Sequence, residues 1–175
     1  MLVFQYGSNL SSRRLNSRQR LGGAARVVGI ARTRHPYQFC FPVWGGINDC
    51  AAAGILPGGE RPVWGVVYDI PHHFVVRSET ADHPTLDAIE DEGRDYWRGP
   101  VELLSADGKD FPENIQTYHP RQPRQDLVTQ WHYVRHILEG AREHALPPDY
   151  QNHLVACMLD NNPNLKTQLN ETATL

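Results

Sequence analysis

The placement of turn-forming residues constrains this chain most. Over the first two thirds, short apolar or β-branched runs are cut every few residues by glycine, proline, asparagine or aspartate; from about Asp126 the apolar spacing becomes helical. Met1–Tyr6 reads as a strand that ends at Gly7. Ser11 and Ser12 are placed to cap a short helix through about Gln19, closed by Gly22 and Gly23. Residues 24–31, 38–43, 51–56 and 63–70 read as strands, with a turn-rich loop over 42–48. Gly65, inside the strongest of these, predicts a bulge or a close backbone approach. Pro84–Glu92 reads as a helix, and residues 97–105 and 111–119 flank a hairpin turn at Ala106-Asp107-Gly108. Helices follow over 126–145 and from Pro148 to about Leu159. Strands first and helices later, without regular alternation, predict an α+β domain: a small mixed β-barrel or curved sheet with flanking helices. That domain is expected over 1–160, with a loose polar C-terminal tail over 161–175.

The 175 residues are enough for one domain with a real core, and 40% hydrophobic with 21% charged residues is ordinary globular composition. A net charge of −3 without a basic stripe argues against nucleic acid as a partner. Arg13, Arg14, Arg18 and Arg20 form the one compact basic cluster, which reads as the solvated face of a short helix. Cys40, Cys50 and Cys157 are odd in number and widely spaced, which suits free thiols in a reducing compartment. With neither a leader pattern nor a long apolar run, no membrane association is expected and the location expected is cytoplasmic. His132 and His136 have helical i, i+4 spacing, but nothing completes a ligand set, so no metal is expected. Trp44, Trp97 and Trp131 suit a core or an interface, which leaves a homodimer open.

Two segments can carry chemistry. Gly7-Ser8-Asn9 follows a strand and precedes a helix; successive N–H groups in such a turn can hold an anion or an oxyanion. Spacing alone leaves an ordinary strand-to-helix turn equally open. The second segment is Leu86-Asp87-Ala88-Ile89-Glu90-Asp91-Glu92-Gly93, rich in carboxylates. At about 100° per residue, Leu86 and Ile89 define an apolar stripe; Glu90 lies roughly 40° from Leu86, beside it, while Asp87 and Glu92 point away. A carboxylate at a core boundary loses hydration and becomes a better proton acceptor, so Glu90 is the acid/base candidate. A salt-bridged structural glutamate is the competing reading. Phosphate-loop, dinucleotide and serine-hydrolase signatures are absent from the sequence.

Tyr6-Gly7-Ser8-Asn9-Leu10, Val63-Trp64-Gly65-Val66-Val67-Tyr68, Leu86-Asp87-Ala88-Ile89-Glu90 with Tyr96, Arg98 and Val101, and Tyr133 with Gly140-Ala141 and Leu146–Gln151 together resemble the γ-glutamylcyclotransferase, or AIG2-like, family. The first matches the family's YGSNL motif letter for letter, and its asparagine points to the wider branch rather than the glutathione-specific ChaC branch. The resemblance runs from Met1 to about Leu154. It implies the γ-glutamylcyclotransferase-like fold and cyclisation of a γ-glutamyl amine or amino acid to 5-oxoproline, without a cofactor. Glu90 would be the general acid/base, and Tyr6, Gly7, Ser8, Asn9, Leu10 and Tyr133 would bind substrate. There is one departure: the family glutamate is followed by glycine, whereas Glu90 precedes Asp91 and it is Glu92 that precedes Gly93. Glu92 is therefore the alternative base. A binding module without turnover, or removal of a γ-glutamyl protecting group in a pathway, are alternative functions. The connection from Ile70 to Pro84 is either a wall of the leaving-group pocket or an inert insertion.

Overall fold

The strand-forming runs of the first two thirds do assemble into sheets. The computed structural model describes residues 1–111 and 114–173. Its strands are β1 (Leu2–Gln5), β2 (Arg26–Thr33), β3 (Tyr37–Gly45), β4 (Cys50–Pro57), β5 (Trp64–Asp69), β6 (Tyr96–Pro100), β7 (Leu103–Ser105) and β8 (Gln116–Pro120). Six of them form one sheet in the order β6-β8-β1-β5-β2-β7, and β3 with β4 forms a separate hairpin. β1 sits inside the sheet, antiparallel to β5 and parallel to β8, so the Gly7 end of β1 emerges from the middle of the domain. β6 and β7 are the opposite edges, yet only Val101 and Glu102 separate them in sequence. A link that short reaches roughly 10 Å, so the sheet must curl until its edges approach. No ladder joins those edges among the described residues, so of the two expected forms the curved sheet is correct and a closed barrel is not.

Gly65 marks a close approach, as its place in a strand predicts. A Cβ there would lie 2.3 Å from the Gln5 carbonyl oxygen and 2.6 Å from the Phe4 ring. β3 runs on to Gly45 through Pro42, where a loop is expected from sequence; a register shift between Cys40 and Val43 accommodates the proline, which has no N–H for a ladder. The turn at Ala106-Asp107-Gly108 forms, with Gly108 at φ +81°, and its arms pair as expected: Leu104 bridges Asp110, the Val101 N–H donates to the Ile115 carbonyl at 3.0 Å, and β6 runs antiparallel to β8, while β7 also pairs with β2 on its other side.

The helices are α1 (Ser12–Leu15), α2 (His72–Val75), α3 (Leu86–Ile89), α4 (Trp131–Glu143), α5 (Pro148–Asn161) and α6 (Lys166–Ala173). α4 buries Tyr133, Val134, Ile137, Leu138 and Ala141 along one face, and Gly140 brings that face onto the loop after β1. A Cβ at Gly140 would stand 2.3 Å from the Ser11 nitrogen. α1 is one turn, not the longer helix expected, because Asn16 turns its amide to the backbone of Ala25, giving and receiving hydrogen bonds of 2.9 Å. Beyond Asn161 the expected loose tail is instead a 3-10 turn and α6, packed through Leu165 and Leu169, each 3% exposed. The polar composition hid two leucines spaced one helical turn apart.

Candidate active site

β1 delivers the chain into a 3-10 turn at Ser8–Leu10, closed by the Leu10 N–H on the Gly7 carbonyl at 2.9 Å. Among the described residues, no protein acceptor takes the N–H of Gly7, Ser8 or Asn9, which leaves these donors for a ligand. Gly7 has φ −97°, outside the left-handed region, so conformational freedom is not why glycine stands here. Space is: a Cβ would lie 3.3 Å from that of Ala53 and 3.6 Å from the Tyr133 hydroxyl.

Opposite this turn stands Glu90, half-buried at the C-terminal end of α3. Thr85 caps α3 by accepting from the Ala88 N–H at 3.3 Å, and the Glu90 N–H closes the turn on the Leu86 carbonyl at 2.9 Å. Asn9 Nδ2 donates to Glu90 Oε1 at 2.6 Å. The two segments singled out in the sequence, 81 residues apart, are thus in direct contact. They face an open cavity of about 290 Å³ lined by Ser8, Arg20, Ala52, Glu90, Tyr96 and Tyr133, with the Gly45–Asn48 turn at its rim. A narrow cleft shares Ser8, Glu90, Tyr96 and Tyr133 with this cavity and reaches Tyr6, Gly7 and Asn9.

Burial raises the Glu90 carboxyl above the usual carboxylate range; Arg20, then Arg14, then the Asn9 hydrogen bond pull it back part of the way. The result is a carboxylate that is more basic than one in water and still able to ionise. Tyr6, Tyr96 and Tyr133 are pushed up by burial first and further by the Glu90 charge, so they act as neutral hydrogen-bonding groups. Their hydroxyls are committed to the fold. Tyr6 donates to the Tyr118 carbonyl at 2.5 Å, Tyr96 donates to the Ala53 carbonyl at 2.8 Å, and Tyr133 accepts from the Ala53 N–H at 2.9 Å. Tyr133 still lines both cavity and cleft. Leu10 lines neither: it is fully buried beneath the turn and packs against Gly140 of α4.

The other carboxylates of the 86–93 segment are placed differently. Asp87, expected to point away from the apolar stripe, is 2% exposed. It accepts from Arg98 Nε at 2.9 Å, the Tyr118 hydroxyl at 2.7 Å and the Arg77 N–H at 3.2 Å. α3 is a single turn packed on more than one side, so a one-stripe reading fails for it. Glu92 lines neither cavity nor cleft, and its charge acts on Arg98 instead. Asp91 has φ +49°, a left-handed conformation that aspartate tolerates better than most residues. The position after Glu90 therefore has the backbone that a glycine would take freely, which accounts for the departure noted in the sequence.

Arg20 is the residue the sequence reading missed. Arg13 and Arg18 are exposed, as a solvated face requires, but Arg14 and Arg20 are half-buried. Arg20 Nη1 donates to Asn9 Oδ1 at 2.8 Å, and Arg14 Nη2 donates to Asn48 Oδ1 at 2.9 Å. Arg14 turns inward from α1 itself and Arg20 from the turn that follows it, and no periodicity signals that. The Ile70–Pro84 connection contributes nothing to the cavity lining; its Arg77 clamps Asp87.

A larger cavity, about 570 Å³, lies between β3 and α5 and holds Cys40, His153 and Cys157. Burial pushes both thiols up to about 11, which leaves them protonated and weakly nucleophilic near neutrality. The smaller cavity brings together an ionisable carboxylate and open N–H groups. His132 Nε2 donates to the Asn48 carbonyl at 2.6 Å and lies 3.9 Å from Cys50 Sγ, and His136 faces Glu139; among the described residues no group of three or more His, Cys, Asp or Glu is placed to hold a metal ion. Nor is any helix there long and apolar enough to cross a membrane.

Comparison with known proteins gives one family. The profile described as gamma-glutamyl cyclotransferase, AIG2-like, matches residues 3–135. No curated protein matches the sequence. Among solved structures, the uncharacterized protein loc79017 from Homo sapiens superposes with a TM-score of 0.73 at 25% identity, covering 89% of this chain and 86% of that one. A gamma-glutamyl cyclotransferase superposes with a TM-score of 0.70 at 23% identity over 89% of this chain and 86% of that one. YkqA from Bacillus subtilis gives 0.66 at 21% identity over 90% of this chain but 54% of its own. The last two likenesses speak for the fold alone.

Proposed function

The chain belongs to the gamma-glutamyl cyclotransferase, AIG2-like family, and from that premise we propose that it cyclises the γ-glutamyl group of a γ-glutamyl amine or amino acid to 5-oxoproline, with Glu90 as general acid/base. The observation that carries this reading is the contact between Asn9 and Glu90 at 2.6 Å, beside a cavity that also reaches Ser8. Glu90 takes a proton from the α-ammonium of the γ-glutamyl group. The freed amine attacks the γ-carbonyl carbon of the same group, a ring C–N bond forms, and the bond to the leaving nitrogen breaks. Glu90 returns its proton to that nitrogen; the second proton shed by the ring nitrogen goes to the released amine, which departs as an ammonium. Glu90 ends as it began.

The Gly7-Ser8-Asn9 N–H groups hold the substrate carboxylate and the charge that develops during attack. Tyr133 orients the glutamyl group from beside the Gly7 turn. Holding the chain folded over supplies much of the acceleration, because attack is intramolecular and forms a five-membered ring. A small-molecule substrate and a cytoplasmic setting go with this reading.

The test is to incubate the protein with a panel of γ-glutamyl amines and γ-glutamyl amino acids and to measure 5-oxoproline. Stoichiometric release of 5-oxoproline and amine from at least one member is expected. Saturable binding of panel members without any release would instead indicate a binding module.

A further inference from the structure

The amide of Asn9 bridges two charged groups. Arg20 Nη1 stands 2.8 Å from Asn9 Oδ1, and Asn9 Nδ2 stands 2.6 Å from Glu90 Oε1. A primary amide has one accepting end and one donating end, while a guanidinium can only donate and a carboxylate can only accept. The cation therefore decides which way the amide faces. We propose that Arg20 is a positioning residue for Glu90: it holds the oxygen end of the Asn9 amide, so that the nitrogen end meets the carboxylate. This inference rests on the reading of Glu90 as the acid/base group. Without Arg20 the amide is held by Glu90 alone, so neither the amide nor the carboxylate keeps a fixed position over the turn.

Local structure is built to deliver this side chain. After α1 ends, the Arg20 N–H closes on the Ser17 carbonyl at 2.9 Å and that of Leu21 on the Leu15 carbonyl at 3.1 Å. Leu21 is fully buried and anchors the turn, and Gly22 and Gly23 leave it at φ +56° and +94°. No carboxylate forms an ion pair with Arg20 among the described residues; the rim carboxylates Asp91 and Asp95 pair with Arg94.

The groups whose charges act with Glu90 are Arg20, Arg14 and the hydroxyls of Tyr6, Tyr96, Tyr118 and Tyr133. The two arginines favour the ionised form against burial, with Arg20 the stronger. Loss of Arg20 therefore raises the Glu90 pKa further and moves the acid limb of kcat/KM to higher pH.

The experiment compares wild type, Arg20→Met and Arg20→Lys by two readouts: the Glu90 side-chain carboxyl titration followed by ¹³C NMR, and the pH profiles of kcat and KM. In Arg20→Met, kcat is expected to fall by about tenfold or more, the worth of one hydrogen bond to a charged group, with KM nearly unchanged. Both the titration and the acid limb should move to higher pH. Arg20→Lys, which keeps the charge, should bring the titration back towards wild type and restore kcat in part. An unmoved Glu90 titration in Arg20→Met would overturn the proposal, as would a rise in KM alone, which would make Arg20 a substrate-binding group. Should Arg20→Met fail to fold, Arg20→Ala, which likewise removes both donor and charge, carries the same comparison. If wild type turns over no γ-glutamyl compound, the functional reading fails, yet the NMR titration still decides the role of Arg20 because it needs no turnover.

Discussion

Asp87 and Glu90 lie three residues apart on one short helical turn, and their surroundings are opposite. Asp87 is sealed in the core and satisfied by three donors, from Arg98, Tyr118 and Arg77. Glu90 faces a cavity, and its one side-chain hydrogen bond among the described residues comes from the neutral amide of Asn9. A carboxylate with a full set of charged and hydroxyl donors is a structural post. One that is desolvated but under-supplied keeps a lone pair for a substrate proton. What separates the two roles is the donors each carboxylate meets, since both are withdrawn from water.

The contrast is sharpest when function and stability are read together. Glu90→Gln keeps the acceptor for Asn9, so we expect turnover to fall by about 10²–10⁴-fold, the range for losing a general acid/base, with the melting temperature little changed. Steady-state rates and a thermal melt on the same preparation check this. Asp87→Ala should do the reverse first: removing one partner of a buried pair costs about 3–5 kcal/mol, readable as a lower denaturation midpoint. An Asp87→Ala protein as stable as wild type would break the comparison.

Smaller effects sharpen it. Tyr133→Phe removes the acceptor of the buried Ala53 N–H and should cost about 1–3 kcal/mol together with a loss in kcat/KM. The pH dependence of stability should also differ between wild type and Glu90→Gln. Burial raises the folded pKa of Glu90 above its unfolded value. Its contribution is therefore fully present below the unfolded pKa and is lost as pH rises through the folded pKa. Denaturant melts should show wild type losing stability relative to Glu90→Gln across that window, and a relative gain would contradict the assigned shift.

Much of this arrangement was legible in the residues. The strand running into Gly7-Ser8-Asn9, the close approach at Gly65 and the single buried face of α4 follow from local patterns that tertiary packing reinforces. The carboxylate segment was legible only in part. A helical wheel assigns one buried stripe, but α3 is a single turn with core beneath Asp87 and a cavity beside Glu90, so the wheel placed Glu90 at the boundary and misplaced Asp87. Arg20 could not be found at all. Its inward path depends on Asn16 ending α1 against Ala25, a contact between side chain and distant backbone that leaves no periodic trace. α6 was missed for the opposite reason: a polar average concealed Leu165 and Leu169.

The central claim is that Glu90, and not its neighbour Glu92, performs the proton transfers. The most direct measurement is kcat/KM for 5-oxoproline release by Glu90→Gln and Glu92→Gln on one shared γ-glutamyl substrate. Because Glu92 lines neither cavity nor cleft, Glu92→Gln should stay within about twofold of wild type, the reach of a surface substitution, while Glu90→Gln is nearly inactive. An active Glu90→Gln beside an inactive Glu92→Gln would contradict the account.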